Sequence, residues 1–425
     1  MRILIATDSF PPHCGGSGWS VYELAKGLRA RGHDIVVVQP RPGRPPDRRE
    51  YDGFHVDEFG ALAPGIPFVR NYLKNERLYG RLASHLRAVI QRDAIELVHG
   101  HHVLTAPPSV AAARMAGIAV VCTVRDYWPA CYWSDLIHDF SSDALCPGCS
   151  SRMMTRCLRP RAGALWPLAL PFIPYMRANL ARKQAWLSAS DAVIGVSSTI
   201  TSDLRARVPG LRATRIETIP NPVDLDTIRA AGTAGPAPLG PPYAVYVGKL
   251  ARNKGVSKLA PAVERAGLRW PLVIIGDGPE RRALEQQFKA TAREVRFTGW
   301  VPRPEALRWL GHASLLVFPS HGPESLSRVL LEASALGVPI AAIDTGGTRD
   351  VVIHAVTGLL SETAETLGND IARLVGDRTL AGNLAAAARL HVERTFASAE
   401  VVRRVEILYR EVATGVASRR TQTHG

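Results

Sequence analysis

A chain of 425 residues, 46% hydrophobic and 21% charged, is too long for one core of ordinary size and too apolar for disorder, which predicts two domains. Lys and Arg outnumber Asp and Glu by 52 to 38, so acidic partners are expected: nucleic acid, anionic lipid or phosphorylated metabolites. No run reaches the roughly 18 apolar residues of a membrane span, which excludes a spanning helix of ordinary composition.

In chain order, "MRILIAT" reads as a strand without the features of a secretion signal and suggests a cytoplasmic protein. "PPHCGGSG" (11 to 18) follows it, and Gly15 and Gly16 would let backbone approach a phosphate at the start of the next helix, "SGWSVYELAKGLRARGH" (17 to 33). Further strands are expected at 34 to 39, 95 to 100, 118 to 124 and 192 to 197. The arginine-rich segments 41 to 50 and 152 to 161 read as solvated loops or a functional surface. Neither has the aromatic interleaving of single-strand binders, and nucleic acid is not expected as a partner.

Four of six cysteines fall in one segment: Cys131, Cys146, Cys149 and Cys157, with "CPGC" forming a C-x2-C. The spacing is compatible with structural zinc, and reduced thiols or a redox pair are the alternatives. Cys122, inside a strand, reads as core. "AGALWPLALPFIPYM" (162 to 176) is uncharged but broken by Pro167, Pro171 and Pro174, which suits an interfacial or loop-packing segment. With its flanking arginines it suggests peripheral contact with an anionic membrane surface.

A Pro/Gly-rich stretch, 230 to 243, follows "IPNPVD", and the domain boundary is placed near Pro220. A second strand series is expected at 243 to 249, 271 to 278, 294 to 299, 314 to 320 and 339 to 345. Alternating strands and helices in both halves predict two doubly wound parallel α/β domains, in which ligands sit beyond the carboxyl ends of the strands. "GKLARNKG" (248 to 255) puts Lys249 and Lys254 on such a loop, where both ammonium groups could converge on a diphosphate.

"HGPESLSRVLLEASALGVPIAAIDTGG" (321 to 347) places Glu324 and Glu332 at the ends of an apolar helical stretch, about 12 Å apart at 1.5 Å per residue. Glu332 could pair with Arg328 at i,i+4, an order worth only about 0.2 to 0.5 kcal/mol, and Glu324 could simply complement the helix dipole. Carboxylates also accept hydrogen bonds from vicinal hydroxyls, while the amides of Ser325, Leu326 and Ser327 would face a phosphate from the helix N-terminus. A ligand with two hydroxylated rings joined by a diphosphate fits this spacing.

These pieces, together with "SDAVIGVS", "IIGDGPERRALE", "VRFTGWV" and "TGLL", resemble the family-four nucleotide-sugar glycosyltransferases over nearly the whole chain. The resemblance implies the GT-B fold, two facing Rossmann-like domains with a cleft between them. It implies an acceptor-side domain over 1 to 219 with a Cys-rich insertion near 126 to 160, a donor domain over 220 to 396, and over 397 to 425 a helix packing back on the first domain, and a tail. It further implies retaining hexosyl transfer from a nucleotide-sugar donor to a glycan, lipid-linked or small-molecule hydroxyl, with no cofactor needed for catalysis.

Glu332 would hold the donor ribose, Glu324 the transferred sugar, and Lys249 and Lys254 the diphosphate. Lys249 stands where the family more often has Arg. In "TVRDYW", Arg125 occupies the position of a usual His; an arginine can bind an anion but cannot serve as a base at neutral pH. Either the enzyme dispenses with that imidazole or His101 or His102 supplies one. The competing expectations are a GT-B epimerase or phosphorylase, or a non-catalytic protein that binds nucleotide sugars.

Overall fold

The computed structural model describes residues 1–61, 72–139, 144–291 and 293–424. Two compact units emerge: residues 1–222 with 398–425, and residues 223–397.

The first unit is built on an eight-stranded sheet. Its strands are β1 (Arg2–Ala6), β2 (Asp34–Pro42), β3 (Asp47–Tyr51), β4 (Phe54–Ala61), β5 (Leu97–His101), β6 (Ala119–Val124), β7 (Ala192–Gly195) and β8 (Ile216–Thr218), in spatial order 3-4-2-1-5-6-7-8. All neighbours run parallel except β3 and β4. Ile3 in β1 lies between Ile35 and Leu97, and Ile3, Leu4 and Ile5 are fully buried, as expected of a strand covered on both faces.

The segment 41 to 50 departs from the loop expectation, because β2 runs on to Pro42 and β3 pairs back antiparallel on β4 through a turn at Asp52 and Gly53, both at positive φ. Its arginines are also less free than a solvated loop implies: Arg49 donates to Glu58 (2.7 Å) and to the carbonyl of Pro11 (2.6 Å). Likewise 152 to 161 is helical, within Ser151–Ala162, where a Ser150 hydroxyl accepts from the Met153 amide. Arg161 there reaches Asp135 at 2.5 Å. The apolar run beyond it forms a 3-10 stretch, Gly163–Phe172, then the helix Ile173–Ser188, so Pro174 starts a helix rather than breaking one. Residues 140–143 of the Cys-rich insertion lie outside the described residues.

The final helix, Ser398–His424, belongs to the first unit. It buries Val401, Val405, Leu408 and Tyr409 in the same core as Ile3, Leu24 and Leu28, each side chain contributing about 1.5–3 kcal/mol of burial. Close approach is possible because Gly27 faces it: a Cβ there would stand 2.5 Å from Val402.

The second unit carries a six-stranded, wholly parallel sheet: β9 (Ala244–Val247), β10 (Leu272–Ile275), β11 (Val295–Gly299), β12 (Leu315–Phe318), β13 (Ile340–Ile343) and β14 (Leu359–Ser361), in order 11-10-9-12-13-14. The order reverses at β9 and β12, which neighbour each other, and ligands of such sheets collect beyond the carboxyl ends at that switch point. The loops holding Lys249, Lys254 and Glu324 leave these two strands.

Candidate active site

In the second unit the loop after β9 and the loop after β12 are tied together before any side chain is considered. The Gly322 amide donates to the Asn253 carbonyl at 2.8 Å, and Gly255, at φ +63, lies so close to Pro319 that a Cβ would overlap its carbonyl. Lys254 and Glu324 are thereby brought into contact, the ammonium donating to Oε1, and Ser320 Oγ stands 2.7 Å from the same oxygen. The Glu324 side chain is 8% exposed and that of Lys254 33%, so the carboxylate is anchored and the ammonium keeps a solvent face. Burial, and secondarily the Glu324 charge, raises the pKa of Tyr246, whose hydroxyl donates to the Lys249 carbonyl.

The Gly-Gly turn closes on the same spot: the Gly347 amide donates to the Glu324 carbonyl at 2.7 Å. Gly346, at φ +51, packs where a Cβ would lie 2.1 Å from that oxygen, so only glycine satisfies both the conformation and the space. Lys249, by contrast, is exposed, and the structure does not bring it into the Lys254–Glu324 contact.

One geometric expectation fails. The helix begins at Arg328, with Ser327 in extended conformation as its N-cap, so Glu324 lies on the loop before it and the helical-rise distance to Glu332 does not apply. Ser325 and Leu326 precede the helix too; the first-turn amides belong to Arg328, Val329 and Leu330, not to the three residues expected. The Glu324 carbonyl accepts from the Gly347 amide rather than from a helical donor. Glu332 does lie in the helix, and the pairing with Arg328 is made: Arg328 Nε and Arg303 Nε both reach its Oε1 at 3.1 Å. Arg303 comes from another helix, 29 residues earlier, and carries no local sequence signal. Ser320, also unforeseen, could have been found as a polar residue ending a strand.

The first unit presents a different chemistry at its strand ends. Gly15 is the N-cap of the helix Gly16–Ala30, and space around the missing Cβ of Gly15 is open, as backbone presented to a ligand requires. Arg125 follows β6, is 8% exposed, and its Nη2 lies 3.4 Å from His101 Nδ1. His101 stacks on His99 with ring centroids 3.8 Å apart. His99 is held by Tyr409 Oη (2.5 Å) and Thr123 Oγ1 (2.7 Å).

Burial, then the neighbouring charges, push His99 and His101 well below the ordinary histidine range, and burial with Arg125 takes His102 down to about 3. All three are therefore neutral at physiological pH. The Nε2 atoms of His101 and His102 are buried without a hydrogen-bond partner. His102 itself sits at φ +68, an uncommon strain for a residue without a glycine's freedom.

Cys131, Cys146, Cys149 and Cys157 are gathered in the insertion of the first unit. The Cys149 thiol hydrogen-bonds to Cys131 and lowers the latter's pKa to about 6. Among the described residues no group of three or more His, Cys, Asp or Glu stands arranged to hold a metal ion. Nor is any described helix long and apolar enough to cross a membrane.

Two doubly wound units with this strand-end chemistry define a glycosyltransferase of the GT-B fold, and family comparison agrees. Residues 14–227 match the family described as Glycosyltransferase Family 4 and residues 233–391 that described as Glycosyl transferases group 1, so the chain belongs to the family-four glycosyltransferases. It is 30% identical over 375 residues to the GDP-mannose-dependent alpha-mannosyltransferase of Mycolicibacterium smegmatis, covering 85% of this chain and 84% of the relative. To the glycogen synthase of Mycobacterium tuberculosis it is 26% identical over 388 residues, covering 87% and 84%.

Among solved structures, sucrose-phosphate synthase from Thermosynechococcus elongatus superposes with a TM-score of 0.71 at 21% identity, covering 97% of this chain and 99% of the other. Anabaena HepE in complex with UDP superposes with 0.65 at 17% identity, covering 97% and 100%. The chain is a glycosyltransferase that uses nucleotide sugars.

Proposed function

We propose that this enzyme moves a hexosyl group from a nucleotide diphosphate sugar to a hydroxyl of a glycan, lipid-linked or small-molecule acceptor, with retention at the anomeric carbon and without a catalytic metal. The observation that carries the reading is the Lys254–Glu324 contact, seated with Ser320 at the switch point of the second sheet. A half-exposed ammonium fixed by a buried carboxylate is a preorganised cation, suited to the charge that develops on a departing diphosphate. Glu324 also keeps lone pairs for sugar hydroxyls.

Retention follows from same-face attack. The acceptor oxygen bonds to the anomeric carbon as the bond from that carbon to phosphate oxygen breaks, and the acceptor proton passes to the departing phosphate. No protein base is then required, which suits a position 125 occupied by Arg. Glu332 is suited to ribose hydroxyls, and Arg303 and Arg328 hold its carboxylate in place. The named relatives differ in donor, one being GDP-mannose-dependent and one solved structure holding UDP, so the base is left to experiment.

The test is transfer from a panel of UDP, GDP and ADP sugars by the full chain and by Glu324→Ala, with the product anomer assigned by proton NMR. Turnover untouched by the substitution sinks the assignment of Glu324; an inverted product sinks retention; donor binding without turnover in the unaltered chain favours a binding protein.

Peripheral attachment to the inner face of a membrane belongs to the same reading. Leu165, Leu168 and Phe172 are 68%, 73% and 42% exposed, beside the exposed Arg152, Arg156 and Arg159 of the preceding helix. Exposed apolar side chains that follow an arginine-rich helix suit an anionic lipid surface. Equal sedimentation with anionic and neutral vesicles at low salt would remove this part.

A further inference from the structure

We infer, on the proposed assignment of Glu332 to the donor ribose, that this site reads one ribose hydroxyl rather than two and admits donors that lack the other. Arg303 Nε and Arg328 Nε each donate to Glu332 Oε1 at 3.1 Å, and Arg303 Nη2 lies 3.1 Å from the same atom. Among the described residues, every hydrogen bond and ion pair of the Glu332 side chain ends on Oε1.

An ionised carboxylate accepts through about four lone pairs, two on each oxygen. Two guanidinium groups therefore fill Oε1, and the lone pairs left for a ligand are those of Oε2. A vicinal diol gripped by both oxygens, one hydroxyl to each, would need Oε1 to accept a further bond. With Oε2 alone, one hydroxyl aligns well, and its neighbour on the ring is left to water or to other groups.

The carboxylate is not at liberty to turn. Arg328 and Glu332 stand one turn apart in the helix Arg328–Leu336, whereas Arg303 is the first residue of the helix Arg303–Gly311, which packs against it. The Glu332, Arg303 and Arg328 side chains are 12%, 14% and 9% exposed, so little water is at hand to replace a broken bond. Rotation of Oε1 toward a ligand would break charge-assisted hydrogen bonds where the local dielectric makes them strong. Two elements thus fix which oxygen faces the ribose.

A site built around a hydrogen bond to one hydroxyl rejects the analogue that lacks that hydroxyl and tolerates loss of the other. Calorimetric titration of the full chain with UDP, GDP and ADP identifies the diphosphate that binds tightest, whose 2′-deoxy and 3′-deoxy forms are then compared. One deoxy form should bind about tenfold more weakly or worse, and the other within about threefold of the ribonucleotide. In Arg303→Ala a lone pair of Oε1 is released, and the tolerated form should now fall behind the ribonucleotide too.

Weakening of about tenfold by each deletion in the unaltered chain overturns the inference, because both oxygens are then in use. Equal binding of both deoxy forms overturns it as well, and Glu332→Ala separates the reasons. If that variant binds the ribonucleotide weakly, Glu332 holds the ribose in another way; if it binds as the unaltered chain does, the ribose assignment itself is wrong. A folded Arg303→Ala with unchanged discrimination removes the arginines as its cause. If Arg303→Ala fails to fold, the two deoxy forms with the unaltered chain decide.

Discussion

At the strand ends of the second unit a partly exposed ammonium, Lys254, meets an anchored carboxylate, Glu324, whereas at those of the first unit a buried guanidinium, Arg125, sits among three neutral imidazoles. The same doubly wound fold thus presents a fixed ion pair in one place and, in the other, imidazoles kept neutral first by burial and then by a neighbouring charge. The pair needs no proton movement to be ready for a diphosphate. The histidine cluster is a place where pH acts on the protein itself.

The comparison breaks most easily at Glu324. Replacing it by alanine leaves Lys254 without its anchor, and kcat/KM should fall about 100- to 1000-fold in donor-saturation kinetics. A loss below tenfold would mean that the ammonium is positioned by something else.

The next effect is on stability in acid. His99, His101 and His102 are held neutral when folded and ionise near 6.5 when unfolded, so the unfolded chain binds more protons below that value. Their contribution is complete above pH 6.5 and is lost as pH falls, for His102 down to about 3. At pH 5 the loss is about 2 kcal/mol for His102, with His99 and His101 shifting stability in the same direction, to be read from urea unfolding at pH 7 and 5. An unchanged midpoint would contradict the neutral cluster.

Removing one hydroxyl, Tyr409→Phe, deprives His99 of its 2.5 Å partner and should cost about 1 kcal/mol in the same measurement. The smallest effect sharpens the comparison. Arg125→Gln removes a secondary cause of the depressed values while burial stays dominant, so imidazole titrations followed by NMR should move upward yet stay below neutrality.

Alternation of apolar runs with helical spacing was enough to read ten of the parallel strands, because a strand buried on both faces shows its composition openly. β3 was hidden by arginines and prolines that suggest a loop, and β4 was passed over with it, although Asp52-Gly53 is a turn signal in plain view. Glu324 was legible as a site residue, but not the late start of the helix at Arg328, since the Gly346 and Gly347 contacts that hold Glu324 come from more than 20 residues along the chain. Arg303 was out of reach for the same reason. Its partnership with Glu332 exists only after two helices have packed. Local patterns reveal which groups must be accounted for; the partners that account for them are set by tertiary approach.

The final helix also orders events in time. Ribosomes deliver the chain from its amino end, so the continuous 223–397 segment is complete, and free to fold, while the ribosome still holds the residues that carry Val401, Val405 and Tyr409. The part made first must therefore wait, its helix Gly16–Ala30 lacking the surface that Gly27 is shaped to receive, until the last 28 residues arrive. A nascent chain stopped before Ser398 would expose that apolar seam, which makes the carboxyl end, far in sequence from every proposed ligand contact, the step on which biogenesis of the first unit depends.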